Sequence, residues 1–504
     1  MKPTTRRELI AAASVAGAMA AVPPAWAARL LSTRVGMGPG SFHDGVASGE
    51  PSATAVTFWS RLDTTHLRSG ARLIVAKDEG LRNTVAHTVV PTGSSINGTL
   101  KARIGGLKPS TEYFYAWESG THHSPVGRTR TFPHPTSRQP LRIGFSSCQH
   151  YTYGYFSAHT AAAADDLDIY AFLGDYIYDR GRAPHPAEPR QDTSSSTDLR
   201  SYRRKYARYR SDSGLRELHR VQPIIHVWDD HEVENNYSDG RTLVEPLQRA
   251  AAYRASFEWM PRMALPSDRF RIYKRIPMGL TADLFMLDER QYRTVDSGGQ
   301  PGQILGEAQM RWLIDGLKAS KARWKVIVQQ VTVAPMDFGN GESQDSWGGY
   351  DSSRTRLLGE IERAGIQNVV FLTGDAHVFM LNLLASDHEA FRSDPQHPAA
   401  AIEYVGGSVT SPGGARDEAS VQSRNPWNRE FNSEQHGYAH MAADSTQLVT
   451  EYRRSDIGSP QGATSPFERF TQPSGTNTVS RESIPAPVPP PPPPDPESPG
   501  AART

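Results

Sequence analysis

Residues 167–175 read LDIYAFLGD and residues 368–377 read NVVFLTGDAH, and these two stretches decide the fold. Each is a short run of apolar, β-branched and aromatic residues that leads into Gly-Asp. Runs of the same kind lie nearby, namely RIGFSSC (142–148), PIIHVWDDHE (223–232), DLFMLDER (283–290) and WKVIVQQV (324–331). Such apolar runs are typical of strands buried on both faces. They predict an α/β core in which helices flank the sheets.

The region around these strands extends over about residues 140–470. Within it, residues 305–320 (LGEAQMRWLIDGLKAS) place Met310, Leu313, Ile314 and Leu317 on one face of a helix. This spacing is typical of a helix that packs against a sheet. We therefore expect one core of sheets covered by amphipathic helices.

Residues 41–136 have a different pattern. Short strand-like runs such as TAVTFWSRL, ARLIVAKD and TEYFYAWES are separated by turn residues. Short strands at this spacing predict a small β-sandwich in front of the core. The sandwich region carries no convincing chemical motif of its own.

The N-terminus is typical of an export leader. Arg6 and Arg7 directly precede a run of small apolar residues, and Ala25-Trp26-Ala27 is a suitable cleavage site. The paired arginines favour a twin-arginine signal peptide over residues 1–27, and hence secretion of an already folded protein by the twin-arginine machinery. The run is too short and weakly apolar for a spanning helix, so we expect no stable membrane anchor.

Charge and cysteine content exclude several classes of protein. The chain has 55 Lys and Arg against 54 Asp and Glu, so its overall charge gives no reason to expect a nucleic-acid partner. Its single cysteine excludes intrachain disulfides. In an oxidising compartment that thiol must be buried, reactive or bound to metal.

Residues 484–504 are rich in proline and predict an extended, disordered tail.

Polar side chains able to bind metal follow four of the apolar runs. They are Cys148, Asp175 with Tyr178, Asp229-Asp230-His231, and Asp375 with His377. Ligands bind outside the carboxyl ends of strands in open α/β sheets, so these side chains are expected to meet in one crevice. One acid at a strand end is usually a cap or a loop charge, but four such ends favour a functional site.

The donor types narrow the chemistry. Carboxylates suit Mg²⁺ or Ca²⁺, imidazole adds Fe, Zn or Mn, and a thiolate beside a phenolate suits a polarising ion such as ferric iron. Asp175 could bridge two ions, and two close cations form the clamp used for displacement at phosphorus. Cys148 could instead be a nucleophile with His150 as its base, but acidic neighbours would raise the pKa of the thiol and favour the metal-ligand alternative.

The same residues give the chain a family resemblance. It closely resembles the PhoD family of secreted alkaline phosphatases and phosphodiesterases. The matching stretches are GVASGEPSATAVTFWSRL (45–62), FSSCQ (145–149), FLGDYIYD (172–179), WDDHEVENN (228–236), LDERQYR (287–293) and LTGDAHVF (372–379). The resemblance implies a metallophosphoesterase core of two sheets flanked by helices, preceded by a small fibronectin-like β-sandwich. It also implies a centre similar to that of purple acid phosphatases, with Fe³⁺ and Ca²⁺.

The family pattern assigns roles to individual residues. Iron would be held by Cys148, Asp175, Tyr178 and His377. Calcium would share Asp175 and take Asp375, one of Asp229 and Asp230, and one of Asn235 and Asn236. Aligning DDHE with the GNHE motif of wider metallophosphoesterases favours Asp230 as the ligand and His231 as the phosphate-facing group. Asp179 departs from the family, in which glutamate is expected in many members.

The implied activity is hydrolysis of phosphate esters by a metal-bound hydroxide, with Asp175 and His231 as the catalytic residues. Small phosphomonoesters and phosphodiesters both remain open as substrates. One alternative is a phospholipase D-like phosphodiesterase that acts on phospholipids. Another is a catalytically silent module whose sandwich binds a polymer.

Overall fold

The computed structural model describes residues 42–63, 69–237, 244–297, 299 and 301–485. The leader predicted over residues 1–27 lies outside these residues, and so does the Pro-rich tail apart from residues 484 and 485. Within the described part of the chain, no helix is both long enough and apolar enough to cross a membrane.

The largest sheet has ten strands. In spatial order they are β22 (Ser480–Ser483), β21 (Thr464–Pro473), β20 (Gln447–Ser455), β19 (Gly437–Ala443), β9 (Leu141–Ser146), β10 (Ile169–Phe172), β11 (Pro223–His226), β1 (Val46–Gly49), β2 (Val56–Arg61) and β5 (Thr99–Ile104). The centre of this sheet is parallel, because β9, β10, β11 and β1 all run the same way. Antiparallel strands extend it on both sides.

A second sheet has seven strands. In spatial order they are β12 (Lys274–Met278), β13 (Ala282–Met286), β14 (Trp324–Val328), β15 (Val369–Thr373), β17 (Ala401–Gly406), β16 (Phe379–Leu384) and β18 (Asn428–Asn432). Strands β13, β14, β15 and β17 are parallel. All six apolar runs quoted from the sequence form strands of these two sheets, which confirms the predicted α/β core.

Eight α-helices accompany the sheets in the described residues. They are α1 (Ser157–Ala164), α2 (Leu199–Tyr209), α3 (Ser213–Val221), α4 (Pro246–Trp259), α5 (Gly306–Ala319), α6 (Asp351–Arg363), α7 (Ala390–Ser393) and α8 (Glu418–Arg424). Short 3-10 turns occupy Ser94–Ile96 and Trp347–Tyr350. The helix expected over residues 305–320 is confirmed as α5, and its four apolar residues are buried.

Side-chain alternation explains why the strands are apolar throughout. Leu284 on β13 packs in one hydrophobic cluster with Ile143 on β9 and Met441 on β19, so the two large sheets face each other. Its neighbour Phe285 packs in a second cluster that contains Leu313 on α5. Because successive residues of a strand point to opposite faces, both faces are buried.

The N-terminal region is rich in β-structure, as predicted. A five-stranded sheet is formed by β3 (Ser69–Ala76), β4 (Thr84–Thr92), β6 (Glu112–Ser119), β7 (His122–His123) and β8 (Gly127–Arg130). It packs against β2, where the rings of Phe58 and Tyr115 are 4.8 Å apart. The opposing strands β1, β2 and β5 also continue the ten-stranded sheet, because β1 pairs with β11 and the Glu50 amide donates to the Ile224 carbonyl at 3.1 Å. The N-terminal strands are therefore hydrogen-bonded directly to the core.

Candidate metal centre

The residues singled out from the sequence come together at the carboxyl ends of parallel strands from both large sheets. Their possible ligand atoms form three groups, each with all atoms within 4.8 Å of one another. The groups are Cys148, Asp175 and His377; Asp175, Asp230 and His231; and Asp229, Asp230 and Asp375. Asp175 is shared by the first two groups and Asp230 by the last two, so the three groups form one continuous polar cluster.

The backbone is strained where the side chains enter this cluster. Cys148, Asp175, Asp375 and His377 have φ values of 58°, 53°, 58° and 57°, in the left-handed region. A residue with a Cβ atom pays about 1–2 kcal/mol for this conformation. Such strain persists where the surrounding structure imposes it, and it is concentrated at functional sites.

Two glycines allow the loops to approach each other. Gly174 has a φ of 107°, and a Cβ atom on it would lie 2.4 Å from the Cβ of Asp229. A Cβ atom on Gly374 would lie 2.8 Å from both the Leu173 carbonyl oxygen and the Ser147 Cβ. In both Gly-Asp pairs the glycine is therefore needed, because it has no side chain and so allows loops from different strands to lie in close contact.

The first group gains a fourth donor from Tyr178. Its hydroxyl lies 3.1 Å from Nε2 of His377 and 2.6 Å from Oγ of Ser411. His377 Nδ1 lies 3.1 Å from the Pro412 carbonyl oxygen, which can only accept. Nδ1 therefore carries the proton, and Nε2 keeps a free lone pair toward Tyr178, as in a histidine that binds metal.

The two neighbouring aspartates have different partners. Oδ1 of Asp229 accepts a hydrogen bond from Arg290 Nε at 2.5 Å, while its Oδ2 is buried without a hydrogen-bond partner in the described structure. Asp230 instead accepts from the backbone amides of His231 (2.9 Å) and Asn236 (2.6 Å). Arg290 also pairs with Asp345 at 2.9 Å. Asp229 is thus held by an arginine, and Asp230 by the loop that follows it.

Glu232 connects these loops, although it was not among the predicted site residues. One carboxylate oxygen accepts the amides of Asp175 (3.0 Å) and Asp229 (2.9 Å). The other accepts the amide of Tyr176 at 2.8 Å and lies 3.1 Å from Nε2 of His226. The side chain is 1% exposed, so these charge-assisted bonds form away from water. Glu232 therefore fixes the relative position of the loops after β10 and β11.

His231 is oriented by a carboxylate. Its Nδ1 lies 2.8 Å from Oδ1 of Asp179, whose side chain is 3% exposed. Its ring packs against that of Tyr178, with ring centres 4.2 Å apart. Nδ1 is engaged, so Nε2 is the ring atom left to meet a substrate. Asp179 therefore holds the His231 ring in position next to the cluster.

The predicted asparagines lie at the rim. Asn235 and Asn236 are both exposed, and Asn236 has a φ of 54°. The backbone amide of Asn236 contacts the cluster through its bond to Asp230. The assignment of one asparagine side chain as a metal ligand stays a prediction.

Burial shapes the electrostatics of the cluster. Burial and the nearby Asp230 carboxylate raise the pKa of Asp375 to about 7, and the same two causes raise the pKa of Asp175 well above its usual range. Burial also raises the pKa of Tyr178, and Asp175 adds to this shift. Burial alone would lower the pKa of His231, but Asp230 and Asp175 outweigh it and raise the pKa to about 10. Crowded buried acids of this kind are stabilised as anions by cations.

Cys148 has the environment of a ligand rather than of a free nucleophile. It is 1% exposed, and burial followed by the charges of Asp175 and Asp375 raises the pKa of its thiol well above the usual range. Reactive thiols have lowered pKa values. His150, the alternative base, packs with its ring 4.4 Å from that of Tyr178, and burial lowers its pKa to about 3.

A helix-flanked pair of sheets whose strand ends gather carboxylate, imidazole, thiol and phenol groups is suited to bind metal ions, as metal-dependent phosphoesterases do. The chain belongs to the PhoD-like phosphatase family. The model of the PhoD-like phosphatase matches residues 143–452, and the model of its N-terminal domain matches residues 28–133. The chain is therefore a phosphoric ester hydrolase, and its substrates are phosphate esters.

Individual relatives agree with this assignment. The chain is 33% identical over 461 residues to alkaline phosphatase D of Bacillus subtilis, covering 83% of this chain and 78% of that protein. The solved structure of PhoD superposes with a TM-score of 0.82 at 31% identity, covering 90% of this chain and 94% of that one. A purple acid phosphatase from yellow lupin seeds shares the fold, with a TM-score of 0.59 at 12% identity over 85% of this chain and 73% of that one. Family membership favours the hydrolase over a silent polymer-binding module.

Proposed function

We propose that the chain is a secreted phosphoesterase whose first group of side chains, with Tyr178, holds Fe³⁺ and whose other clustered carboxylates, together with the shared Asp175, hold Ca²⁺. One observation carries the iron assignment. Cys148, Asp175 and His377 offer ligand atoms within 4.8 Å of one another, and the Tyr178 hydroxyl lies 3.1 Å from Nε2 of His377. A thiolate, a phenolate, an imidazole and a carboxylate together suit a small, highly charged and polarising ion.

The remaining groups suit a hard cation. Asp229, Asp230 and Asp375 offer only carboxylate oxygens, which Ca²⁺ prefers. Oδ2 of Asp229 is buried without a hydrogen-bond partner among the described residues, although burying an unpaired carboxylate oxygen is unfavourable. A cation at this position would satisfy it. Asp230, which also lies in the group that contains Asp175, would then bind the same ion, in agreement with the motif alignment.

The bound ions would polarise the phosphoryl group and supply a hydroxide nucleophile near neutral pH. Residues of the chain would position the ions and the phosphoryl group. Asp175 belongs to two groups and would set their spacing, while Glu232 holds the amides of Asp175 and Asp229. His231, fixed through Nδ1 by Asp179, would direct Nε2 at a phosphoryl oxygen and stabilise its developing negative charge.

The test is elemental analysis and visible absorption of mature protein purified without added metal or chelator. We expect about one iron per chain with calcium bound beside it. Because Tyr178 is a proposed iron ligand, we also expect a broad tyrosinate-to-iron absorption band. Tyr178→Phe should remove the band, whereas the matched control Tyr153→Phe should keep it, since Tyr153 packs on His150 outside the three groups. A centre with zinc or manganese and no iron would contradict the thiolate and phenolate assignments.

Export by the twin-arginine route is part of the proposal. The N-terminal domain model begins to match at residue 28, directly after the Ala25-Trp26-Ala27 cleavage site, which supports removal of residues 1–27. Replacing Arg6 and Arg7 by lysine should leave the protein in the cytoplasm in a fractionation assay. Unchanged export of this variant would instead indicate the general secretory route.

A further inference from the structure

A cavity lies between the N-terminal strands and the end of α4, and its lining shares no residue with the metal cluster. Its volume is 390 Å³, which is within the range of small-molecule sites. Apolar side chains line much of it from both sides: Val90 and Ile96 from the N-terminal region, and Phe257, Met263 and Phe270 from α4 and the loop that follows it. Ile96 and Met263 are 37% and 39% exposed, so they form an apolar lip at the opening.

The charged lining of this cavity is strongly positive. Its cationic members are Lys101, Arg254, Arg262 and Arg269. Glu258 is the only acidic residue among the lining residues, and it is already engaged by Arg203 at 2.6 Å and by Arg254 at 2.9 Å. The cavity therefore has an excess of positive charge that its own lining does not neutralise.

Arg262 presents an unused donor. The residue is 3% exposed, and its guanidinium lies 4.3 Å from the ring centre of Phe257. Its terminal nitrogens donate to the His226 carbonyl (3.2 Å) and to Ser256 Oγ (2.5 Å), but Nε is buried with no hydrogen-bond partner in the described structure. A buried guanidinium without a carboxylate partner is unfavourable unless an anion reaches it.

Lys101 adds a half-buried amine to the lining. Its Nζ donates to the carbonyl oxygens of Phe257 and Arg262, which are neutral acceptors. Burial, and then the charge of Arg262, lowers the pKa of this amine to about 7. An anionic group bound in the cavity would favour the charged form of Lys101 and so oppose the lowering of its pKa by burial and by Arg262. The two cations and the apolar walls thus favour the same kind of ligand, one with an anionic head and a hydrocarbon body.

We propose that this cavity binds a single-chain amphiphile with a carboxylate head. The carboxylate would bind the buried end near Arg262 and Lys101, because guanidinium groups pair well with carboxylates. The hydrocarbon chain would lie against Phe257 and Phe270 and leave past the lip formed by Ile96 and Met263. This site is separate from the phosphoesterase centre and does not depend on its metals.

Calorimetric titration of the metal-loaded protein with sodium dodecanoate, kept below its micelle concentration, tests the proposal. We expect saturable binding of one dodecanoate per chain. Arg269→Glu and Met263→Asp should each weaken this binding about tenfold or more, since a negative charge in the lining repels the carboxylate and a charge at the lip opposes burial of the hydrocarbon chain. Both side chains are exposed, so the variants should fold normally.

The controls separate the site from general stickiness. Arg311→Glu makes the same change of charge on the exposed face of α5, outside the cavity, and should leave dodecanoate affinity unchanged. Acetate and dodecyl maltoside, which supply the head or the tail alone, should bind far more weakly. Equal binding of dodecyl maltoside, equal effects of all three substitutions, or no saturable binding would overturn the proposal. Hydrolysis of p-nitrophenyl phosphate by the variants is a separate readout of the metal centre and should be unchanged.

Discussion

Replacing Glu232 by glutamine should loosen the metal centre without touching a proposed ligand. Each carboxylate oxygen of Glu232 has two hydrogen-bonding neighbours, the amides of Asp175 and Asp229 on one and the Tyr176 amide and His226 on the other. Whichever way the glutamine amide turns, its NH₂ group meets two of these neighbours and cannot accept from a backbone amide. With the NH₂ group toward Tyr176 and His226, only the Tyr176 amide loses its acceptor, and hydrogen bonds to charged groups contribute about 1.5–3 kcal/mol each, so we expect a destabilisation of about 1.5–3 kcal/mol.

The consequence for function follows from geometry. Asp175 and Asp229 belong to different groups of the cluster, and Glu232 is the side chain that holds both of their amides. A neutral amide oxygen accepts these two amides more weakly than a carboxylate does, so the two loops are held less firmly and the spacing of the groups can change. We expect Glu232→Gln to retain less iron and calcium after dialysis and to lower kcat for p-nitrophenyl phosphate by about 100-fold, the order found when a residue that orients metal ligands is removed.

Glu403→Gln is a matched control. Glu403 is also a buried glutamate with four donors, which are the amides of Val333 and Ala334 and the side chains of Thr373 and Asn382. It is not a member of the three groups. Denaturant unfolding of the metal-free proteins should show a comparable loss of stability in both variants, but only Glu232→Gln should lose metal from the loaded protein. Full metal content and activity in Glu232→Gln, or an equal metal loss in Glu403→Gln, would refute the argument.

Further predictions concern neighbouring features. Asp179→Asn should lower kcat/KM about 10- to 100-fold with unchanged metal content, because His231 loses the carboxylate that fixes its ring; a drop in metal content would show a structural role instead. Gly174→Ala should lower Tm by several degrees, since the new Cβ would lie 2.4 Å from that of Asp229, whereas Gly105→Ala, with open space around it, should not; equal Tm values would contradict the close approach. Chelation should lower Tm, since four clustered carboxylates lose their counter-ions, and adding calcium back should restore it; an unchanged Tm after elemental analysis has shown loss of calcium would contradict this stabilisation.

The strands and the position of the site could be predicted from local sequence. A run such as NVVFLTGDAH buries its apolar residues when it forms an inner strand, and the first polar residues after it then leave the sheet at its carboxyl end. The same reasoning predicted α5 from its apolar spacing. These features depend on neighbours in sequence, which is why periodicity reveals them.

The supporting residues could not be predicted in this way. Glu232 and Arg290 lie inside quoted motifs, but their partners come from other loops, Asp175 in one case and Asp229 in the other. In sequence, each is indistinguishable from a charge on a solvated loop. Only the folded arrangement shows that the glutamate accepts amides from two strand ends and that the arginine holds an aspartate.

The pairing of β1 with β11 and of β9 with β19 has a consequence for how the protein is made. Ser48 meets Pro223, and Phe145 meets Ala439, so the central sheet closes only when distant parts of the chain are present. Contacts between residues so far apart in sequence slow folding, because the entropy of the intervening chain is lost before the contacts form. During synthesis β9 must wait for β19 with one edge unpaired, and an exposed edge invites aggregation. The nascent chain therefore needs protection until its last quarter has left the ribosome.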